Sequence, residues 1–282
     1  MISVIFLNYN RREDLRRSLQ KIFKQQDVEF EVIVVDQNST DGSISMIQEE
    51  FSEVRLFPLK ENLGVAGGRN YGAEKSLGEY LVFIDDDAEF ISQDALYKTS
   101  LVFDNNKNIN VIAFNVNGHP ERPEKYKFFS NKKDKFTNSY IGCGHAIRQE
   151  VFYKLGGYTK ELFFWGEEIE FAIKTFSIPN NRILFKGDIV LFHRVSQISR
   201  LKWKEGRFYY KVRNRMAVMH TFFPFPISTL YFTYYCCAYF IRAVQLKEVN
   251  SFFKGIKDSF NLKLVEGKNL NFQQSKNYIL PK

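Results

Sequence analysis

The 282-residue chain, 44% hydrophobic and 16% aromatic, carries enough apolar material for one large domain or two modest ones, which excludes a disordered or fibrous protein. Its net charge of +8 is unevenly placed: residues 1–193 hold 24 Lys plus Arg against 28 Asp plus Glu, and residues 194–282 hold 16 against 4. Three cysteines, two of them the neighbours Cys236 and Cys237, exclude a disulfide framework and fit a reducing compartment, while the basic final third can serve anionic lipid, a phosphorylated partner or nucleic acid.

The chain opens "MISVIFLNYNRRED", whose six-residue apolar stretch lacks a basic flank and a cleavage site, so it reads as a first strand and not a secretory signal. Strand-length apolar runs then alternate with helical periodicity. In order come "SVIFL" (3–7), a helix over 13–25, "FEVIVVD" (30–36), a helix over 43–51, "VRLFPL" (54–59) and a helix opening near Ala66. "YLVFID" (80–85), a helix from Asp94 and "NVIAFNV" (110–116) continue the pattern. This alternation predicts βαβ units in an α/β fold with a mostly parallel central sheet covered on both faces. Ligands of such sheets bind beyond the carboxyl ends of the strands, so "NYN" (8–10), "DQNSTDGS" (36–43) and "DDD" (85–87) are expected around one crevice.

Asn8, Asp36, Asn38 and Asp41 form a nucleotide-sized set there, in which Asp36 can accept hydrogen bonds from a base imide or ribose hydroxyls; the same residue types also serve ordinary turns. Gly64, Gly67 and Gly68 permit close backbone approach at a helix start, and Arg69 can neutralise charge, although the spacing matches neither phosphate-loop nor dinucleotide fingerprints. On an extended segment Asp85 and Asp87 share one face and Asp86 points elsewhere. Two convergent carboxylates suit a hard divalent cation that keeps positions open for phosphate oxygens; the alternative is a solvated acidic loop.

Residues 118–139 are polar and Lys-rich, as in a surface flap. A second half follows with "GCGHAI" (142–147), "EVFYKLGGY" (150–158), "ELFFWGEEIEFAIKTF" (161–176) and "RILFKGDIVLFH" (182–193), and it is expected to complete the same globule. In "FFWGEEIEF" (163–171), Glu167 and Glu170 lie on similar helical faces and Glu168 is offset toward a cleft. A carboxylate beside aromatic rings holds its proton more tightly, which suits a general base. His193 is either structural or a third ligand beside the two aspartates. Between Arg200 and Arg215 lie seven basic residues and one acid, interleaved with Trp203, Phe208, Tyr209 and Tyr210, and the stretch 216–241 has no charged residue. Pro224, Pro226 and the many tyrosines favour a membrane interface over a span, with an ordinary buried helical pair as the other alternative.

Taken in order, "SVIFLNYNR", "VIVVDQNSTDGS", "NLGVAGGRNYG", "FIDDD", "FFWGEEIEF", His193 and "YYKVRNR" (209–215) resemble the family 2 glycosyltransferases of the GT-A fold, especially bacterial rhamnosyltransferase-like and galactofuranosyltransferase-like members, over about residues 2–220. The resemblance implies a Rossmann-like nucleotide-sugar-binding half (1–117), an acceptor-binding half (118–200) and a basic, aromatic, helical membrane-proximal region (201–282). It places Asn8, Asn10, Arg11, Asp36, Asn38, Gly64, Arg69, Asn70, Asp85 and Asp86 at the donor, with Asp36 on the base. Asp85, Asp87 and His193 would hold Mn²⁺ or Mg²⁺ against the diphosphate. Glu168 matches the position of the catalytic base, but the family more often has Asp there, so Glu167 stays an alternative.

The implied reaction is a single displacement with inversion, from a UDP, dTDP or GDP sugar to a saccharide or polyprenyl-diphosphate-linked acceptor at the inner face of the bacterial cytoplasmic membrane, with no role for nucleic acid. "QISRL" (197–201) only approximates the Gln-x-x-Arg-Trp motif of processive members, which favours single addition. A sugar-phosphate nucleotidyltransferase would need a glycine-rich loop where "FLNYNRRED" has no glycine, and a non-catalytic nucleotide-sugar-binding protein would need dispensable carboxylates.

Overall fold

Strand β1 (Ile2–Asn8) is buried at every position, as expected of a central strand covered on both faces. It pairs in parallel with β2 (Phe30–Asp36) and β4 (Tyr80–Asp85), and β2 pairs in parallel with β3 (Arg55–Pro58). The computed structural model describes residues 1–118, 133–194, 206–264 and 269–281. Alternation along the strands separates two cores: Ile5, Leu7, Val35 and Phe83 face one side of the sheet, and Val4, Phe6, Val34 and Ile84 the other. Helices α1 (Arg12–Ile22), α2 (Ser43–Glu50) and α3 (Gly64–Glu74) make the crossovers. In α1, Leu15, Leu19 and Ile22 recur at helical spacing and are buried against the second core. The register sets Asn8 opposite Asp36 and Leu7 opposite Asp85, so the polar strand ends finish level along one edge.

The chain continues through β5 (Ala88–Phe90), α4 (Ala95–Asn105), β6 (Ile109–Gly118), β7 (Lys135–Thr137), β8 (Gly144–Arg148), α5 (Gln149–Lys154), α6 (Glu167–Thr175) and β9 (Arg182–His193). These strands join the same sheet, in the order β3-β2-β1-β4-β8-β6-β9-β5, with β7 on β9. The parallel pattern holds from β3 to β4; β8 then enters antiparallel between β4 and β6, and the sheet is mixed. Strand β5 has no signal of its own in the sequence because it is three residues long and exists by pairing with the end of β9, where Ala88 meets His193. Within 161–176 the helix begins at Glu167, so Glu168 lies at the helix start as expected. Before it, residues 160–162 form a 3₁₀ turn, and Phe163, Trp165 and Gly166 have φ of 53°, 67° and 99°, which helical continuation cannot accommodate.

Among the described residues the helices α7 (Arg207–Phe222), α8 (Ile227–Leu246), α9 (Val249–Ser259) and α10 (Phe272–Ile279) follow. Phe208, Val212 and Met216 of α7, Tyr239 and Ala243 of α8, and Phe252 of α9 form a third core. The opposite face of α8 leaves Leu230, Tyr234, Ile241 and Val244 exposed. Among the described residues no helix is long and apolar enough to cross a membrane. Most of the expected flap (119–132), and "QISRL" with Arg200, Lys202, Trp203 and Lys204, lie outside the described residues.

Candidate active site

The carboxyl ends of β1 and β4 and the N-terminal ends of α3 and α6 surround a cleft of about 1350 Å³. Asn8, Asn10, Arg11, Gly64, Arg69 and Asp85 to Asp87 line it from the first half, and Glu167, Glu168 and His193 from the second. β8 and β9 enter the sheet beside β4 and β6, and so bring residues a hundred positions apart onto one wall.

Asp85, Asp87 and His193 each offer a ligand atom, and these atoms lie within 4.8 Å of one another. The charge of the triplet is met locally by cations. Arg11 bonds Asp87 and lies 3.5 Å from Asp86, His193 Nε2 lies 2.9 Å from Asp87, and Arg69 lies 2.8 Å from Asp85. Burial is the largest influence on both inner acids. It raises Asp86 well above the carboxylate range, whereas at Asp87 it is outweighed by His193 and Arg11, which hold that group at about 2. Asp86 turns inward, and Ser18 donates to its backbone carbonyl at 2.9 Å. Two hard carboxylates and an imidazole at this separation fit Mn²⁺ or Mg²⁺, with Asp85 the most solvent-open of the three acids.

Arg69 is 2% exposed and donates to Glu167, to Asp85 and to the carbonyl of Gly142 at 2.8, 2.8 and 2.6 Å. One guanidinium thus serves two carboxylates. Burial, then the neighbouring charge of Glu168, push Glu167 up to about 8 against the pull of Arg69, and its Oε2 is buried without a hydrogen-bond partner. Glu168 is half-buried on the cleft wall and accepts from the backbone N–H of Gly166 at 3.1 Å. Glu170 faces away; fully buried, it pairs with Lys174 at 3.0 Å and accepts from Thr159 at 2.6 Å.

Three expected donor residues lie off the cleft lining. Asp36 is fully buried and accepts from the Asn8 side chain at 2.6 Å and the Ser39 N–H at 2.8 Å, so both of its oxygens close the β1 and β2 turns. Asn38 is exposed at φ 65°. Asn70 brackets the backbone of Tyr158, donating to its carbonyl at 2.7 Å and accepting from its N–H at 2.9 Å.

Asn214, by contrast, carries no signal of a role in the sequence beyond its place in "YYKVRNR" (209–215). Buried in α7, it donates to the carbonyls of Leu162, Phe164 and Trp165 at 2.8, 3.0 and 2.6 Å. Arg213 adds a bond to the Glu161 carbonyl at 2.8 Å. Together they hold the positive-φ loop that carries Phe163, Phe164 and Trp165 to the cleft and starts α6.

The model for glycosyl transferase family 2 matches residues 3–177. An uncharacterized glycosyltransferase of Haemophilus influenzae is 30% identical over 193 residues, 64% of this chain and 63% of the relative, so the chain spans somewhat under two thirds of that protein. The Escherichia coli β-1,3-glucosyltransferase WfgD, named for UDP-Glc and α-D-GlcNAc-diphosphoundecaprenol, is 24% identical over 82% of this chain and 90% of its own length. Among solved structures, a mannosyltransferase from Pyrobaculum calidifontis in complex with GDP-Man and Mn²⁺ superposes with a TM-score of 0.64 at 18% identity, covering 94% of this chain and 76% of that one, a likeness of fold. With a family model spanning well over half of its length and a GT-A fold, the chain belongs to glycosyl transferase family 2.

Proposed function

We propose that the protein is an inverting, metal-dependent transferase that adds one sugar from a nucleotide-diphosphate sugar to a saccharide or polyprenyl-diphosphate-linked saccharide of a bacterial surface glycan. The observation that carries this reading is the convergence of Asp85, Asp87 and His193 on the cleft that also holds Glu168. The name of WfgD and the Mn²⁺ and GDP-Man of the mannosyltransferase complex support it. In this reading residues 1–117 hold the donor, 118–200 the acceptor, and 201–282 sit at the membrane surface through the exposed apolar face of α8 and its basic surroundings.

Asp85, Asp87 and His193 would hold Mn²⁺ or Mg²⁺, which when bound supplies positive charge to the departing diphosphate. Glu168 takes the proton of the acceptor hydroxyl on its carboxylate, so the hydroxyl oxygen attacks the anomeric carbon as the bond to the diphosphate breaks. Glu167, raised to about 8, draws little on the charge of Arg69, whose other nitrogen fixes Asp85 on the donor side. The rings of Phe163, Phe164 and Trp165 offer apolar faces to the sugar on the cleft wall.

Calorimetry with UDP, dTDP and GDP sugars, with and without Mn²⁺, tests the donor assignment; equal affinity in EDTA would remove the role given to Asp85 and Asp87. Glu168→Gln should bind donor and lose transfer. Release of nucleoside diphosphate, without pyrophosphate exchange, separates this reaction from nucleotidyl transfer.

A further inference from the structure

Arg207, Lys211 and Arg215 recur one helical turn apart on α7 and so share a face. Arg207 and Arg215 line the cleft. Each of the three lies over an aromatic ring: Arg207 at 5.3 Å from Phe164, Lys211 at 5.5 Å from Trp165, and Arg215 at 5.2 Å from Trp165 and 4.8 Å from Tyr235. Among the described residues no carboxylate lies within ion-pair distance of Lys211 or Arg215, and Nε of Arg215 is buried with no hydrogen-bond partner. Burial, then repulsion from Arg215 and Arg242, lower the affinity of Lys211 for its proton. Holding the half-buried Arg215 without a carboxylate beside it is costly, and neither it nor Lys211 has a catalytic task in the reaction above.

Their position says which anion they suit. The donor diphosphate belongs with Asp85 and Asp87 at the β4 end, whereas Arg215 lies against Trp165, on the α6 side of the same cleft. Tyr235 and Tyr239 of α8 close over Arg215 and Lys211, and the other face of that helix exposes Leu230, Tyr234, Ile241 and Val244. The rings of Tyr235 and Tyr239 beside these cations, and the exposed apolar residues on the far face of the same helix, give a hydrocarbon chain apolar surface along α8.

We infer that Arg207, Lys211 and Arg215, with Trp165, form a subsite for the diphosphate of a prenyl-diphosphate-linked acceptor, distinct from the donor diphosphate site; this rests on the transferase reading above. Guanidinium forks and aromatic faces suit diphosphate oxygens, and the subsite would orient the acceptor sugar toward Glu168.

The test measures binding of geranyl diphosphate, geraniol and inorganic pyrophosphate to the full chain in EDTA, together with UDP, dTDP and GDP in Mn²⁺. Geranyl diphosphate should bind at least about tenfold more tightly than either geraniol or pyrophosphate. Arg215→Gln should weaken it by about tenfold or more, from loss of a charge-assisted hydrogen bond, Arg215→Lys by less, and nucleotide affinity should not change in either variant. Lys211→Gln, on the exposed rim, should weaken it in the same direction and serves should Arg215→Gln fail to fold. Unchanged geranyl diphosphate affinity in these variants, with nucleotide binding intact, overturns the subsite alone. Pyrophosphate binding as tightly as geranyl diphosphate overturns the lipid-linked assignment. No nucleotide binding to the unaltered protein overturns the transferase reading beneath it.

Discussion

Arg69 places Nη1 2.8 Å from Oε1 of Glu167, while its Nη2 reaches Asp85 at the same distance. A residue of α3 thereby ties the end of β4 to the start of α6, two carboxylates 82 positions apart in the sequence. The shared guanidinium also divides their roles, since a single positive charge stabilises one ionised partner better than two.

Glu167 makes stability fall with pH. Its folded-state pKa, about 8, lies above that of an unfolded carboxyl. Between those values the folded protein holds a proton that the unfolded chain has lost, so this contribution is fully present in acid and disappears as pH rises through about 8. Glu167→Gln keeps an acceptor for Arg69 and cannot ionise. Urea unfolding of both metal-free proteins at pH 5 and pH 9 should show the variant gaining about 4 kcal/mol relative to the original protein at the higher pH; parallel pH profiles would show that Glu167 is ionised throughout.

In the proposed cation site, removing a carboxylate and removing the cation that competes for it should act in opposite directions. Asp87→Asn should weaken Mn²⁺ binding by about tenfold or more, read by Mn²⁺ electron paramagnetic resonance, and abolish transfer. Arg11 is bonded to that same aspartate. Arg11→Gln should therefore strengthen Mn²⁺ binding in the absence of donor, and weaker or unchanged binding would mean that Arg11 does not compete for Asp87.

Asn214→Ala leaves the carbonyls of Leu162, Phe164 and Trp165 without their buried donor. The expected cost is about 2–3 kcal/mol, measured by urea denaturation. Freed of that bond, the loop before α6 no longer holds Glu168 in place, so transfer should fall further than donor affinity does. A variant with normal stability and turnover would leave Asn214 no part in positioning the loop.

Gly64 sits at φ +74°, and a Cβ there would lie 2.4 Å from the carbonyl oxygen of Phe163. The N–H of Val65 bonds that same oxygen at 2.7 Å, so α3 and the aromatic loop meet in direct backbone contact. Gly64→Ala should cost about 1–3 kcal/mol from backbone strain alone, seen as a lower thermal midpoint, and should displace Phe163 from the cleft. Unaltered melting and donor affinity together would show that the contact yields without consequence.

Local chemistry in the sequence was enough to locate most of the strands and the crevice edge. Apolar runs such as Val32 to Val35 can only be strands buried on both faces, and polar residues directly after them must collect at one end of a parallel sheet. The pairing of Asp85 with Asp87 was likewise legible, because extended backbone repeats every second residue. His193 was named beside them through the resemblance, and the structure shows how it arrives: β9 pairs with β5, where Ala88 meets His193, a pairing between distant segments.

The alternating apolar pattern by itself determined an α/β sheet with its acids at the strand ends, since periodicity and side-chain chemistry are local properties. Only the tertiary structure decided that β8 enters antiparallel, that the loop before α6 is held by Asn214, and that Arg69 spans Asp85 and Glu167. The reason is physical: register, desolvation and charge sharing arise between residues far apart in the chain, and they are set by which surfaces pack together rather than by the spacing of residues along it.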